Sequence, residues 1–360
     1  MTVIDPTQYE SQLATKLTVL EREYLRFNLP NIEVFKSEPT HYRMRAEFRV
    51  WHEGEKSFYA MTSPGEKTLY TLEQFPVASE LINHLMTTLL GEITGSDILR
   101  KRLFSAEFLT TLSGEAVVTL IYHRKLDDEW EATATRLQDA LGINIIGRSR
   151  KQKIILGREY LLEVLQVNER NYHYQQVEGS FTQPNAGVNQ HMLSWAENCS
   201  KQLNGDLLEL YCGNGNFTCV LADSFDKVLA TEVSKVSVRS AFYNLNANHI
   251  TNVKIARMSS EELTQALNKE RAFRRLKDIP LDNYNFSTLF VDPPRAGLDP
   301  ATEQLATNFT NILYISCNPQ TLGLNLETLT KTHIIKRFAV FDQFPYTPHL
   351  ECGVWLQKPS

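Results

Sequence analysis

The sequence predicts two domains of different class: an α+β platform over residues 1–178, then a doubly wound, Rossmann-like α/β domain over residues 179–360. Three observations carry this. From Phe181 onward, buried apolar runs alternate with helical spacing, the pattern of parallel strands joined by crossover helices. The first such run stops at Cys212-Gly213-Asn214-Gly215-Asn216, a glycine turn that lets backbone approach a ligand closely. Before residue 178, strand-like and helix-like stretches come in mixed order, with basic and aromatic residues gathered at turns.

In the first half, Glu10 to Phe27 has helical spacing through Leu13, Leu17, Leu20 and Tyr24, and Leu29-Pro30 ends it. His41 to Trp51 alternates as a half-buried strand. Tyr42, Met44, Ala46, Phe48 and Val50 fall on one face; His41, Arg43, Arg45, Glu47, Arg49 and Trp51 fall on the other. That polar face suits plain solvation, and it also suits phosphates and unstacked bases. Pro76 to Leu90 reads as a helix with Gly91 as its stop. Phe108 to Leu112 and Glu115 to His123 read as a hairpin, and Asp127 to Leu141 as a helix stopped by Gly142. Ile145 to Ile155 is a basic hairpin. Lys101, Arg102, Phe104, His123, Arg124, Lys125, Arg148, Arg150 and Lys151 recur at strand ends and turns. Among these outward residues, Arg49, Phe104 and His123 are the candidates for RNA contact.

In the second half a helix should open after Asn185. The strand Gly205 to Leu210 leads into the glycine turn, where a third glycine would complete a dinucleotide fingerprint; position 218 is Thr. The next strand, from Lys227, ends in Glu232, 19 residues after Gly213, where a carboxylate can accept ribose hydroxyls. The incomplete fingerprint favours S-adenosylmethionine over a dinucleotide. Further strands are Asn252 to Ala256, Ser287 to Val291, Ile312 to Ile315, Ile334 to Phe341 and Cys352 to Leu356. Gly213, Glu232, Asp292 and Cys317 all fall at carboxyl ends of strands, where open α/β sheets bind ligands.

With 42% hydrophobic and 22% charged residues the composition is globular, and a net charge of −5 leaves room only for a local RNA-binding patch. Five cysteines without a Cys-x-x-Cys pair argue against disulfides, a metal site and an iron–sulfur cluster. With no apolar run long enough to span a membrane, a cytoplasmic protein is expected. Helical spacing resumes near Thr321, so a helix N-terminus should follow Cys317 and lower its pKa.

Four stretches are similar to motifs of the RNA 5-methyluridine methyltransferases: Leu208 to Phe217, Asp292-Pro293-Pro294-Arg295, Ser316-Cys317-Asn318-Pro319, and Phe344 to Glu351. His41 to Trp51 and Tyr122 to Trp130 resemble the bacterial tRNA (uracil-5-) branch of that family. The likeness covers essentially the whole chain. The missing four-cysteine site, usual in ribosomal-RNA members, favours tRNA.

The resemblance implies a class I S-adenosyl-L-methionine-dependent methyltransferase domain preceded by an α+β RNA-binding domain. It implies methylation of C5 of the T-loop uridine at tRNA position 54, with Cys317 as nucleophile and Glu351 as proton acceptor. Gln183, Tyr211, Asn216, Glu232 and Asp292 match the family's cofactor-contacting positions. The T-like loop of tmRNA is left open as a second substrate, as is a tRNA-folding role; no membrane and no obligate protein partner are implied. In class I sheets the last strand inserts antiparallel between the fifth and sixth, which would set Glu351 beside Cys317. Amino-methylating enzymes usually place an aromatic after Asp-Pro-Pro, where this chain has Arg295. RNA 5-methylcytosine enzymes add a cysteine in that motif, which is absent here.

Overall fold

The computed structural model describes residues 4–62 and 69–359. In chain order the elements are α1 (Tyr9–Tyr24), β1 (Ile32–Phe35), β2 (Arg45–Glu53), β3 (Lys56–Thr62), β4 (Leu69–Leu72), α2 (Glu80–Thr94), α3 (Asp97–Arg100), β5 (Leu103–Thr110), β6 (Ala116–Tyr122), α4 (Asp128–Leu141), β7 (Asn144–Ser149), β8 (Gln152–Leu156), β9 (Tyr160–Val167) and β10 (Arg170–Val177). There follow α5 (Ala186–Ser200), β11 (Asp206–Leu210), α6 (Asn216–Leu221), β12 (Val228–Thr231), α7 (Lys235–Ala247), β13 (Val253–Ala256), α8 (Ser260–Leu267), β14 (Phe286–Val291), α9 (Pro300–Ala306), β15 (Asn311–Ser316), α10 (Pro319–Leu329), β16 (Ile334–Phe341) and β17 (Glu351–Gln357).

Two compact units result. The first is built mainly from Glu38–Val164 and Gln175–Ala186, the second from Thr7–Ser37, Leu165–Tyr174 and Gly187–Ser360. The boundary expected near residue 178 is therefore redrawn. Residues 7–37 belong with the second unit because β1 pairs in parallel with β16. In addition, α1 buries Tyr9, Leu13, Leu20 and Tyr24 in that unit's core.

The first unit is a seven-stranded sheet in the order β4-β3-β2-β5-β6-β7-β8. On β2 the alternation buries Ala46, Phe48 and Val50 and leaves Glu47, Arg49 and Trp51 exposed. Phe48, Tyr59 and Phe108 interlock edge-on beneath α2, whose Ile82, Leu85, Met86 and Leu89 fill the same core. This helix begins at Glu80, not Pro76, because Ser79 caps it by accepting from the Ile82 amide, and Gly91 lies inside it. By contrast α4 starts and stops where expected: Asp127 accepts from the Trp130 amide, and Gly142 adopts the left-handed conformation that only glycine takes cheaply.

Beneath Trp130 of α4 runs Gly147 on β7, where an added Cβ would overlap the indole and Leu126. Gly147→Ala is expected to destabilise the protein by roughly 1–3 kcal/mol through overpacking. Urea unfolding followed by tryptophan fluorescence checks this, and an unchanged midpoint would refute it.

The second unit is an eight-stranded sheet in the order β1-β16-β17-β15-β14-β11-β12-β13. Strands β11, β14, β15, β12 and β13 run parallel, while β17 is antiparallel to both β15 and β16. Covered on both faces, β11 and β15 are buried along their whole length, which is why they read as continuous apolar runs. No helix among the described residues is long and apolar enough to cross a membrane.

Candidate active site

The site grows from the carboxyl ends of β11, β12, β14 and β15. At the end of β11 the chain turns through three left-handed residues, Tyr211 (φ 62°), Gly213 (φ 57°) and Gly215 (φ 81°), before α6 starts. A Cβ at Gly213 would meet nothing within 4 Å, so the turn faces open space. Its shape is held from outside. Asn244 of α7 donates to the Asn214 carbonyl at 2.8 Å, and the Asn216 and Asn189 amides pair reciprocally at 2.9 and 3.0 Å. The Tyr211 hydroxyl donates to Ser260 Oγ at 2.8 Å. Glu232, just past β12, accepts from the amides of Gly213 (3.1 Å) and Ser234 (2.7 Å), which aims its carboxylate at the turn.

Asp292 follows β14. It is half-buried, and the loss of solvent pushes its carboxyl up to about 7. Arg295, three residues on, is exposed. Its carbonyl is clamped by Asn318 Nδ2 at 3.0 Å and Thr321 Oγ1 at 3.1 Å, which ties the Asp292–Gly297 loop to the start of α10.

Cys317 and Asn318 are the two residues between β15 and α10. Asn318 caps that helix by accepting from the Gln320 amide, and Pro319 fills the first turn, where no N–H is needed. The thiol is half-exposed and lines an open cavity of about 460 Å³ together with Lys16, Arg295, Asn318, Gln320 and His349.

Glu351 arrives from the other direction. The antiparallel register ends at the pair Ser316 with Cys352, which leaves Cys317 and Glu351 as the residues just beyond it on the two strands. Glu351 is buried, 3% exposed, and burial holds its carboxyl well above the usual range, with Asp292 adding to the effect and Arg295 opposing it.

One expectation is corrected. The helix after Cys317 is present, but the thiol pKa is not lowered: burial, then Glu351 and Asp292, push it up to about 11, with only a partial offset from Arg295. Burial is the largest cause, and the nearby acids add to it. Alkylation of Cys317 in the ligand-free protein should therefore keep rising about tenfold per pH unit through pH 10, since the thiolate is the reactive form. Peptide mass spectrometry after iodoacetamide pulses tests this, and a plateau near pH 8.5 would contradict it.

Tyr211, Asn216, Glu232, Asp292, Cys317 and Glu351 thus all lie in the second unit. Gln183 lies in the first, on a segment fastened to β2 by the Met44 amide donating to the Pro184 carbonyl at 2.7 Å. Arg49, Phe104 and His123 are also in the first unit and form a continuous stack. The Arg49 guanidinium lies 4.9 Å from the Phe104 ring centre, and Phe104 and His123 stack at 4.3 Å and 24°. Other basic residues there serve the fold: Arg148 pairs with buried Glu178 at 2.7 Å, Arg45 donates to the Ser180 carbonyl, and Arg124 to the Lys101 and Ile98 carbonyls.

Glu209 escaped the sequence reading. It is fully buried on β11, its carboxyl is pushed up to about 8 by burial, and Asp292 contributes to the shift. A lone acid inside an apolar run was its signal. Among the described residues no group of three or more His, Cys, Asp or Glu side chains could hold a metal ion.

The model of a family described as "tRNA (Uracil-5-)-methyltransferase" matches residues 8–359. A "tRNA/tmRNA (uracil-C(5))-methyltransferase" of Cellvibrio japonicus is 59% identical, covering 97% of this chain and 96% of its own. One of the same description from Vibrio parahaemolyticus is 53% identical over 99% of both. Among solved structures, the Pyrococcus abyssi tRNA (uracil-54, C5)-methyltransferase in complex with S-adenosyl-L-homocysteine aligns with a TM-score of 0.72 at 21% identity, covering 97% of this chain and 83% of that one.

Proposed function

The chain belongs to the tRNA (uracil-5-)-methyltransferase family, and from that membership we propose that it methylates C5 of the T-loop uridine at tRNA position 54 through a covalent adduct on Cys317. The observation that supports the mechanism is the strand register: its last pair, Ser316 with Cys352, adjoins Cys317 and Glu351, and the Glu351 carboxyl acts on the Cys317 thiol.

S-adenosylmethionine supplies an electrophilic methyl group on a cationic sulfonium. Tyr211, Asn216, Glu232 and Asp292 are the residues proposed to hold it, Glu232 taking the ribose hydroxyls; Gln183 is a further candidate by its match to the family's cofactor-contacting positions. The open glycine turn and the two-point grip on Glu232 fit such a ligand. A positive charge brought among Asp292, Glu351 and Cys317 favours their anionic forms, opposing the upward shifts that burial imposes.

Carbon 5 of uracil is too weak a nucleophile to take the methyl group unaided. The Cys317 thiolate adds to C6, forming an S–C6 bond and shifting the ring electrons into an enolate with density on C5. C5 then takes the methyl group, and the carbon–sulfonium bond breaks. The Glu351 carboxylate removes the proton from C5, the double bond re-forms, and Cys317 is expelled as thiolate. The net change is one methyl for one hydrogen, with one proton released.

The target base must leave its stack first, at a cost of a few kcal/mol. The Arg49–Phe104–His123 stack is proposed to offset this by receiving RNA bases and phosphate. Replacing Arg49 or Phe104 by Ala should weaken tRNA binding by about 1–3 kcal/mol per lost stacking contact. Filter binding at fixed salt measures this, and unchanged affinity and turnover would show the face to be misassigned. The T-loop-like uridine of tmRNA is proposed as a second substrate, and a cytoplasmic location follows from these RNAs.

Tritium placed at C5 of tRNA uridines tests the reaction class. One tritium should enter water for each methyl transferred. Methyl transfer without tritium release would refute methylation at C5.

A further inference from the structure

Glu351 is delivered by a loop, Asp342 to Leu350, that joins β16 to β17. Phe341 and Glu351 are register partners at its two ends, so the shape of the loop sets where the carboxyl enters the site. Side chains from α1 grip that loop, Lys16 with the most bonds. Lys16 is 8% exposed, and its ammonium lies 2.6 Å from Asp342 Oδ1, 2.9 Å from the Phe344 carbonyl and 3.2 Å from the His349 carbonyl. An ammonium has three donors, and the loop takes all three. Gln12, one turn earlier, adds a bridge: Nε2 donates to Asp342 Oδ2 at 3.3 Å, and Oε1 accepts from the Tyr346 amide at 3.2 Å.

Lys16 shares its helix face with Leu13, Leu20 and Tyr24, all buried. Lysine is rarely buried unless paired, and a stability role alone would be met as well by an aliphatic side chain at that position. Asp342 is itself fully buried, and its amide donates to the Phe35 carbonyl at the end of β1. Cys317, in contrast, is fixed independently of this loop, by β15 below it and by the Asn318 and Thr321 clamp on Arg295.

We infer that Lys16 is a positioning residue for the proton-removal step, holding the 342–350 loop so that Glu351 meets the C5 proton. The inference rests on the assignment of Glu351 as the base. It separates the two halves of the reaction: losing Lys16 spares addition of Cys317 and slows resolution of the adduct.

The test is single turnover of the full chain with unmodified tRNA and methyl-labelled S-adenosylmethionine, resolved on denaturing gels. Lys16→Met is paired with Lys16→Met/Asp342→Asn, which removes the charge that the single change would strand. Both should form the covalent band within about threefold of the wild-type rate, while its breakdown to free methylated tRNA slows about 100-fold, the scale of an ångström-level misplacement. Wild-type breakdown, or a parallel loss of formation and breakdown, in either folded variant would overturn the inference. Failure of both to fold would assign the pair to stability and overturn it equally. Glu351→Gln runs alongside. If it accumulates adduct and the Lys16 variants do not, the positioning role falls and the base stands; if it accumulates none, the base assignment falls and takes the positioning role with it.

Discussion

Cys317→Ala should lose methyl transfer by at least about 10⁴-fold while the protein stays folded, since removal of a nucleophile costs on that scale. The side chain is half-exposed at the end of β15, and its loss leaves no buried cavity. Thermal stability should therefore be close to wild type, and tRNA binding should survive if the proposed contacts, Arg49, Phe104 and His123, carry it, since they lie in the first unit. Cys212 and Cys352 cannot substitute: both are buried, and burial holds their thiols far toward the neutral form. Quantifying methylated nucleoside per enzyme over several hours would expose residual turnover. Activity within tenfold of wild type would remove Cys317 from the mechanism. Retained tRNA remodelling by the same variant would show a folding role separate from methylation.

Glu351→Gln is expected to have a different effect. Addition and methyl transfer need Cys317, but release needs a base at C5, so the enzyme should stall as a protein–RNA adduct that survives denaturing electrophoresis. Turnover should fall by about 10²–10⁴-fold, the range for a positioned general base, and the adduct should approach one per active site. The amide removes the carboxyl that raises the Cys317 pKa, so addition itself should become no slower. No band from a folded variant with Cys317 intact would take Glu351 out of its role.

The parts of this molecule that the sequence discloses are those whose causes are local or topological. The apolar runs of β11 and β15, the glycine turn, and the cap and stop of α4 are written in adjacent residues. The place of Glu351 follows from a sheet rule, because the β16-β17-β15 order turns 34 residues of separation into one register step. What escapes is long-range. Nothing near Ile32 to Phe35 announces a strand that pairs with residues 338 to 341, so residues 7–37 read as part of the first domain although they pack in the second unit. Lys16 is visible as a charge on an apolar helix face, yet its partners are more than 320 residues away. The thiol shows the same limit: the helix after Cys317 is legible, but the burial that raises its pKa, and the carboxyls from β17 and the end of β14 that add to it, come from distant parts of the chain.

The most direct measurement is to incubate the protein with labelled S-adenosylmethionine and tRNA lacking modifications, digest to nucleosides, and identify and map the labelled one by mass spectrometry. The proposed function predicts 5-methyluridine at position 54, made by the wild type and absent with Cys317→Ala. Label in 5-methylcytidine, on an exocyclic amino group, or undiminished in Cys317→Ala would contradict the proposed chemistry.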